Sequence, residues 1–200
     1  NYCHGEKLHL LIVEALNQGG IAIEDIDAFS LSYGPGSYTG LRIGASAVKG
    51  FGFALNKPVM VVSTLKSMGK SYIDSNFFDS KIDFICPIIN SRVGEVYTAT
   101  FDKSLNEINS PHSCVVAQHK FDNLLFQGKV VFFGTGLNKL KNYIKHKNAH
   151  VIADDWLPSA SSLVAISHQK FIKKDFVDLA YFEPLYLKKF IPTKPKKEKI

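Results

Sequence analysis

The stretch SYGPGSYTGLRIGASAVKG, residues Ser32 to Gly50, joins a sharp turn to a run of small residues that includes one arginine. Gly34-Pro35-Gly36 predicts the turn, and Ser37 or Thr39 can cap a helix that begins directly after it. Glycine-rich turns before helices often hold phosphate groups, because the first N–H groups of a helix have no partner within it. The stretch therefore predicts either a phosphate-binding loop or a tightly packed helix.

The known nucleotide-binding motifs do not fit this turn. A dinucleotide-binding loop needs glycine at the sixth position of the motif, where this chain has Thr39, and Gly40 comes one residue late. A P-loop ends in lysine followed by serine or threonine, whereas this turn continues into Leu41-Arg42-Ile43. An anion held by the N-terminus of the helix alone stays open as the minor alternative.

A spacing of four residues separates Gly36, Gly40 and Gly44, which places bare backbone along one side of the predicted helix. Each glycine inside a helix costs up to about 1 kcal/mol relative to alanine. Several of them need a compensating gain, and the close approach of a neighbouring element supplies one. The glycines therefore predict a packing surface.

The apolar pattern around this stretch alternates between helices and strands. Predicted helices cover residues 6–18, 38–55 and 64–72, and predicted buried strands cover residues 27–33 and 59–63. This order is typical of parallel strands joined by helical crossovers. The first helix is apolar over so broad a face that we expect neighbours on two sides of it.

Beyond residues 76–82 the pattern changes, which predicts a boundary between two lobes. FICPIIN and GEVYTATFD predict the two strands of a hairpin. KVVFFGTG and HVIAD predict further strands, and LNKLKNYIKH predicts a helix. SASSLVAISHQKFIKK predicts another helix, capped near Ser159 or Ser161.

Composition narrows the class of protein. The chain has 200 residues, a formal net charge of +6 and three widely spaced cysteines, which form no disulfide framework and no zinc-ligand pattern. We expect free thiols in a reducing cytoplasm. No apolar run approaches the roughly 20 residues of a membrane span, and the first residues do not resemble a signal peptide.

Other clusters of polar residues are weaker candidates for sites. His146 and His150 have the spacing of a metal-binding pair but lie in a lysine-rich connector, so a solvated loop is favoured. Asp154-Asp155 precedes a predicted turn, which also argues against a metal. The basic tail LKKFIPTKPKKEKI could touch phosphate backbones, although lysine-rich ends are more often solvated termini.

Three motifs together resemble those of the bacterial TsaB (YeaZ) family. SYGPGSYTGLRIG, followed by a helix and VVSTL, is similar to the family signature G-P-G-S-[FY]-T-G-L-R-I-G and its V-S-[ST]-L segment. NSRVGEVY, with Arg92, Gly94 and Glu95, resembles the family's D-A-R-x-G-E-V-Y, and EPLYLKK resembles P-x-Y-L-R. Asn90 and Val93 depart from the family pattern, which leaves ion pairing by this hairpin in question.

The resemblance implies an α/β fold of the actin-like, ribonuclease-H-like type with two lobes. Residues 1–78 would form the N-lobe and residues 79–200 the C-lobe, with the last segment returning to the N-lobe as an open alternative. Family members begin with strands that precede the first helix of this chain, so we expect the N-lobe to lack its first strands.

The resemblance also implies that the chain functions as a subunit of a complex with other proteins. Such proteins bind and activate the catalytic subunit TsaD, together with TsaE, in threonylcarbamoyl transfer to the tRNA adenosine beside the anticodon. We expect no catalytic residue, metal or cofactor, since VVSTLKSMGKS lacks the histidine pair of the catalytic relative. A nucleotide at the lobe or partner interface, and tRNA contact that is indirect or through the basic tail, stay open. The alternative is an enzyme of the same fold, either a glycoprotease-like peptidase or an ATP-dependent phosphotransferase.

In that family the first two helices form a bundle with the equivalent helices of TsaD or of a second copy. Arg42 could face a partner or could clamp a carboxylate within the chain. The candidate partner-binding residues are Leu10, Val13, Glu14 and Gln18 on the first helix, and Tyr38, Arg42, Ala45 and Lys49 on the second.

Overall fold

The computed structural model describes residues 4–117, 119–152 and 156–188. The helices are α1 His4–Gly19, α2 Tyr38–Ala54, α3 Thr64–Ile73, α4 Asp122–Gln127, α5 Leu137–Leu140 and α6 Val164–Ile172. The strands are β1 Phe29–Gly34, β2 Val59–Ser63, β3 Phe84–Asn90, β4 Glu95–Phe101, β5 Glu107–Val115, β6 Val130–Phe133 and β7 Ala149–Val151. Short 3-10 helices cover Ile23–Asp25 and Ala160–Leu163. Within the described ranges, no helix is both long enough and apolar enough to cross a membrane.

The first sheet consists of the parallel strands β1 and β2 and has a helix on each face. Successive side chains of a strand point to opposite faces. Phe29 stacks on Phe51 of α2, with 5.6 Å between the ring centroids. The neighbouring Ser30 turns the other way, and its hydroxyl lies 2.5 Å from that of Ser167 on α6. The helices α2 and α6 therefore lie on opposite faces of this sheet.

The second sheet has five strands in the order β5-β4-β3-β6-β7, and its core lies on both faces. On one face, Leu65, Met68 and Tyr72 of α3 pack against β3 and β4. On the other face, α4 and α5 contribute Leu124, Leu125, Leu137 and Leu140 to a second buried cluster. Because α3 also follows β2 directly, it connects the two sheets.

Most predicted elements form at the expected positions, with ends that shift by a few residues. The hairpin of β3 and β4 is antiparallel as predicted, and the Ser159 hydroxyl accepts a hydrogen bond from the backbone N–H of Ser161, as expected of a cap. Three predictions were wrong in part, one in the burial of a strand and two in the bounds of a helix. The strand β1 is only half-buried, the helix at LNKLKNYIKH covers only Leu137–Leu140, and the helix at SASSLVAISHQKFIKK begins as a 3-10 turn.

Candidate functional site

Residues from all three sequence motifs meet beside the N-terminus of α2, and we call this region the motif junction. It comprises the turn Gly34–Gly36, the start of β4 from Glu95 to Tyr97, and residues 185–188. The backbone N–H of Leu185 donates a hydrogen bond to the carbonyl oxygen of Tyr33, at 2.8 Å. The three motifs therefore form one structural unit although they lie far apart in sequence.

The turn requires glycine at Gly34 because another chain segment passes very close to it. Its φ of 123° is one that other residues rarely adopt. A Cβ atom at this position would also lie 2.9 Å from the Leu185 carbonyl oxygen. Both constraints identify Gly34 as the contact point between the turn and residues 185–188.

Aromatic and cationic side chains surround the first turn of α2. Its N-cap is Ser37, whose hydroxyl accepts a hydrogen bond from the backbone N–H of Gly40 at 3.3 Å. The Tyr38 ring lies 5.0 Å from the Tyr186 ring, and the guanidinium carbon of Arg42 lies 4.3 Å from the Tyr38 centroid. Arg42 thus makes a cation–π contact in this structure.

Two lysines hold the hairpin of β3 and β4 in the motif junction. Lys139 donates to the carbonyl oxygens of Ser91, Arg92 and Glu95. Lys188 forms an ion pair with the Glu95 carboxylate, and both side chains are about three-quarters buried. The hairpin therefore does form an ion pair, which answers the question raised by its departures from the family pattern.

Little space is left inside the motif junction. A cavity of about 30 Å³ is lined by residues that include Pro35, Gly36, Tyr97 and Lys188. Small-molecule pockets usually have volumes of about 300–1,000 Å³. The glycine turn is thus filled by packed side chains and backbone, in agreement with the packing interpretation of its sequence.

The structure separates the glycines of α2 into two groups. A Cβ atom at Gly44 would lie 3.0 Å from the side chain of Leu31 on β1, and one at Gly52 would lie 2.9 Å from that of Val59 on β2. A Cβ atom at Gly40 would meet only its own cap, Ser37, and Gly50 has no neighbouring atom within 4 Å. The neighbouring element that approaches α2 closely is therefore the sheet.

A second surface of interest is formed by α1 and α2, and we call it the helix-pair surface. It comprises the exposed residues of α1 together with Ser46, Gly50 and Phe53 of α2. No described side chain of α1 is fully buried, and Leu10 and Val13 are 68% and 54% exposed. Phe53 is 85% exposed. A groove of about 440 Å³ runs between the two helices and is lined by residues that include His9 and Gly50.

Comparison with known proteins identifies the family. The sequence model of the family described as TsaD, tRNA N6-adenosine threonylcarbamoyltransferase, matches residues 2–191. The chain belongs to this family. Within it, the resemblance to TsaB proteins that the motifs indicated is confirmed by matches along nearly the whole chain.

Two TsaB relatives show the extent of the match. The chain is 28% identical over 197 residues to the tRNA threonylcarbamoyladenosine biosynthesis protein TsaB of Escherichia coli, and the match covers 96% of this chain and 83% of that protein. It is 24% identical over 202 residues to TsaB of Haemophilus influenzae, covering 96% and 82%. The tRNA N6-adenosine threonylcarbamoyltransferase of Clostridium perfringens SM101 is 32% identical over 90 residues, which is 44% of this chain and 25% of that protein.

Solved structures confirm the two-lobe α/β fold expected of a TsaB-like chain. A Pseudomonas aeruginosa protein described as similar to peptidase YeaZ superposes with a TM-score of 0.78 at 23% identity, covering 94% of this chain and 85% of that one. YeaZ from Pseudomonas aeruginosa gives a TM-score of 0.73 at 21% identity, covering 91% and 84%.

The candidate partner residues of this TsaD-family chain fall into separate environments. On α1, Leu10, Val13, Glu14 and Gln18 are exposed. On α2, the expectation for Ala45 and Lys49 needs correction. Ala45 is only 6% exposed, and the ammonium of Lys49 lies 3.5 Å from the Ala180 carbonyl oxygen. Residues 180–186 of the same chain cover this side of α2.

The sequence missed the part of α2 that is open. Ser46, Gly50 and Phe53 are exposed and lie beside or near the groove, whereas Tyr38 is half-buried against Tyr186. Arg42 is exposed and lines the groove, and no ion pair joins it to a described carboxylate. The sequence alone did not mark Phe53 as exposed, since Phe51 on the same helix is only partly exposed.

Those of the weaker sequence candidates that the structure describes belong to no cluster of metal-binding side chains. Among the described residues, no group of three or more His, Cys, Asp or Glu side chains is placed to hold a metal ion. His146 accepts a hydrogen bond from the Asn148 backbone and lies edge-on to the Phe126 ring. Asp154-Asp155 and the basic tail after Lys188 lie outside the described residues.

Proposed function

We propose that this chain is a scaffold subunit that binds and activates a TsaD-type catalytic subunit in tRNA threonylcarbamoyladenosine biosynthesis, without catalysing the transfer itself. The relatives that match nearly its whole length are named for this biosynthesis. The observation that carries the proposal is the helix-pair surface. Participation of TsaE and a cytoplasmic location stay predictions of the sequence.

The helix-pair surface has the properties of a docking site for another helix. Leu10, Val13 and Phe53 are large apolar side chains that are mostly exposed. Burying such a side chain stabilises an interface by about 1.5–3 kcal/mol. The glycine at Gly50 has open space around it, which allows a partner helix to approach the α2 backbone closely.

A TsaD-type partner fits this surface because TsaD proteins belong to the same family. Equivalent helices in the partner would present a similar apolar pair, and two such pairs can pack as a four-helix bundle. A second copy of this chain offers the same pair. We therefore expect a homodimer through the same surface when the TsaD-type subunit is absent.

The non-catalytic part of the proposal rests on sequence and local geometry. The segment VVSTLKSMGKS carries no histidine pair, and in the structure it forms the end of β2 and the first eight residues of α3, most of which are buried. The Glu95 carboxylate is paired with the ammonium group of Lys188. Both observations favour a subunit that supports the chemistry of another chain.

The proposal is tested by retention on an immobilised TsaD-type subunit. We expect Leu10→Glu and Phe53→Glu each to weaken retention at least tenfold, because each places a charge where an apolar side chain would be buried. Phe126→Glu is the matched control, since Phe126 is 73% exposed on α4, which belongs to the other sheet. Full retention of both helix variants would show that docking does not use the helix-pair surface.

A further inference from the structure

A cleft of about 400 Å³ lies between α3, the turn that joins β4 to β5, and α6. We call it the lysine cleft. Its apolar lining includes Ile73, Leu105 and Ile166. Five lysines from the three elements also line it: Lys66, Lys70, Lys103, Lys170 and Lys173.

The lysines of the cleft exceed the carboxylates around them. Lys70 pairs with Asp74, and Lys170 pairs with Asp175 at 2.6 Å. Lys66 lies near enough to Asp102 for its charge to help lower the pKa of that carboxyl, after the hydrogen bonds from Asn106 and Ser104. Three carboxylates therefore face five ammonium groups, which leaves a local excess of positive charge.

Two of these lysines have no carboxylate partner among the described residues. Lys103 donates to the carbonyl oxygen of Ser80 at 3.2 Å, and its side chain is exposed at the turn after β4. Lys173 is exposed at the C-terminal end of α6. Both ammonium groups are available to an anion without the loss of an ion pair.

We propose that the lysine cleft binds the phosphodiester backbone of RNA. Lysine ammonium groups contact phosphates as point charges, and such contacts carry affinity without reading sequence. Lysines from three elements around one concave surface can contact successive phosphates of a single strand. None of the described residues that line the cleft is aromatic and able to stack on a base, so the expected recognition is electrostatic.

The choice of RNA over other polyanions rests on the proposed function, which brings a tRNA to the protein. The lysine cluster itself does not depend on that function. An acidic protein segment is the competing ligand. RNA is favoured because lysines from three separate elements surround the cleft, a spread of charge that suits the successive phosphates of a strand.

The lysine cleft is separate from the helix-pair surface. Its α6 wall packs on the face of the first sheet opposite to α2. Lys103 follows the C-terminal end of β4, whereas the motif junction contains its N-terminal end. The length of β4 from Glu95 to Phe101 is about 20 Å, which separates the two sites along the strand. A partner docked on α1 and α2 therefore leaves the cleft open to RNA.

The test measures binding of an unmodified tRNA transcript by fluorescence anisotropy across a range of salt concentrations. For the double variant Lys103→Gln/Lys173→Gln we expect at least roughly tenfold weaker binding at 0.1 M salt and a slope of log K against log salt that is shallower by about 1–2. The matched control Lys145→Gln/Lys147→Gln removes the same charge from exposed positions between α5 and β7. We expect little change from it, because charges are screened within about 10 Å at 0.1 M salt.

A variant that strengthens tRNA binding is a useful complement, because misfolding can explain weaker binding but not tighter binding. Asp175→Asn removes the partner of Lys170, and we expect tighter tRNA binding and a steeper salt dependence. An unchanged thermal unfolding midpoint for Lys103→Gln/Lys173→Gln would show that the fold is intact.

Several outcomes would overturn the proposal. Equal weakening by the cleft and control variants would mean that RNA responds only to net charge. No tRNA binding by the full chain, alone or with the TsaD-type subunit, would exclude the site. Binding of poly-glutamate that depends on the cleft lysines, with tRNA binding that does not, would assign the cleft to an acidic protein. Retention on the TsaD-type subunit is measured in parallel, so that failure of the cleft and failure of the scaffold function remain distinguishable.

Discussion

Two glycines of α2, only two residues apart, should respond in opposite ways to the same substitution. Gly50→Ala adds a methyl group where no atom lies within 4 Å. Gly52→Ala adds it 2.9 Å from Val59 Cγ2, 3.1 Å from Leu179 Cδ1 and 3.2 Å from the Lys57 carbonyl oxygen. The pair therefore separates intrinsic helix preference from packing against β2.

The expected magnitudes follow from these distances. Alanine in place of a helical glycine stabilises by about 0.5–1 kcal/mol, and Gly50→Ala should gain that amount. At Gly52 the same gain is opposed by overpacking, which costs about 1–3 kcal/mol when side chains and backbone must shift. We expect the two variants to differ by about 2 kcal/mol in free energy of unfolding, with Gly52→Ala the less stable.

Urea and thermal unfolding measure this difference. For a chain of this size, 2 kcal/mol corresponds to a difference of roughly 4–8 °C in the unfolding midpoint. If the two variants have the same free energy of unfolding, α2 does not approach β2 as closely as the structure shows. A loss of stability in Gly50→Ala would instead show that another part of the chain packs against α2 at this position.

Three further predictions concern buried thiols, a turn carboxylate and the ion pair of the motif junction. Burial raises the pKa of Cys86 to about 12, so at pH 8 only about one Cys86 thiol in ten thousand is ionised. In a Cys3→Ser chain we therefore expect Ellman's reagent to react slowly until denaturant is added. Rapid reaction in the folded state would contradict this prediction. Hydrogen bonds from Asn106 lower the pKa of Asp102. The ionised Asp102 carboxylate therefore stabilises the folded state above about pH 4, and this stabilisation is lost as the pH falls through the lowered pKa. The stability gap between the wild type and Asp102→Asn should therefore shrink on acidification, and urea midpoints that keep a constant gap from pH 6 to pH 3 would count against it. Lys188→Gln leaves the mostly buried Glu95 carboxylate without its partner, so we expect a loss of about 1 kcal/mol in urea unfolding, and an unchanged midpoint would rule out a stabilising role for the pair.

Local patterns were enough to predict the elements around the opening motif. The β-branched run VMVVS forms β2 with its predicted ends, and the turn before α2 is capped by Ser37 as expected. The strand β5 was missed because its sequence, EINSPHSCV, is mostly polar and exposed. As the edge strand beside β4 it needs no alternating apolar face.

The errors at the candidate site came from contacts that are distant in sequence. The family resemblance made Ala45 and Lys49 candidate partner residues of α2, but residues 180–186 cover the side of the helix that carries them. Likewise the lysine cleft gathers side chains from Lys66 to Lys173, whose proximity no local pattern reveals. Of the three glycines spaced by four residues, only Gly44 packs closely against another element, the sheet, so the spacing predicted close packing only in part.

The order of synthesis gives the contacts of residues 177–188 a further consequence. Val177 donates to the Val59 carbonyl oxygen on β2, and Leu185 to that of Tyr33 on β1, so the last described segment completes the packing of the first sheet. As the chain leaves the ribosome, α2 and both strands emerge more than a hundred residues before these contacts can form. Until residues 177–188 have been synthesised, the first sheet of the nascent chain therefore has an open flank, where a chaperone or a premature partner could bind.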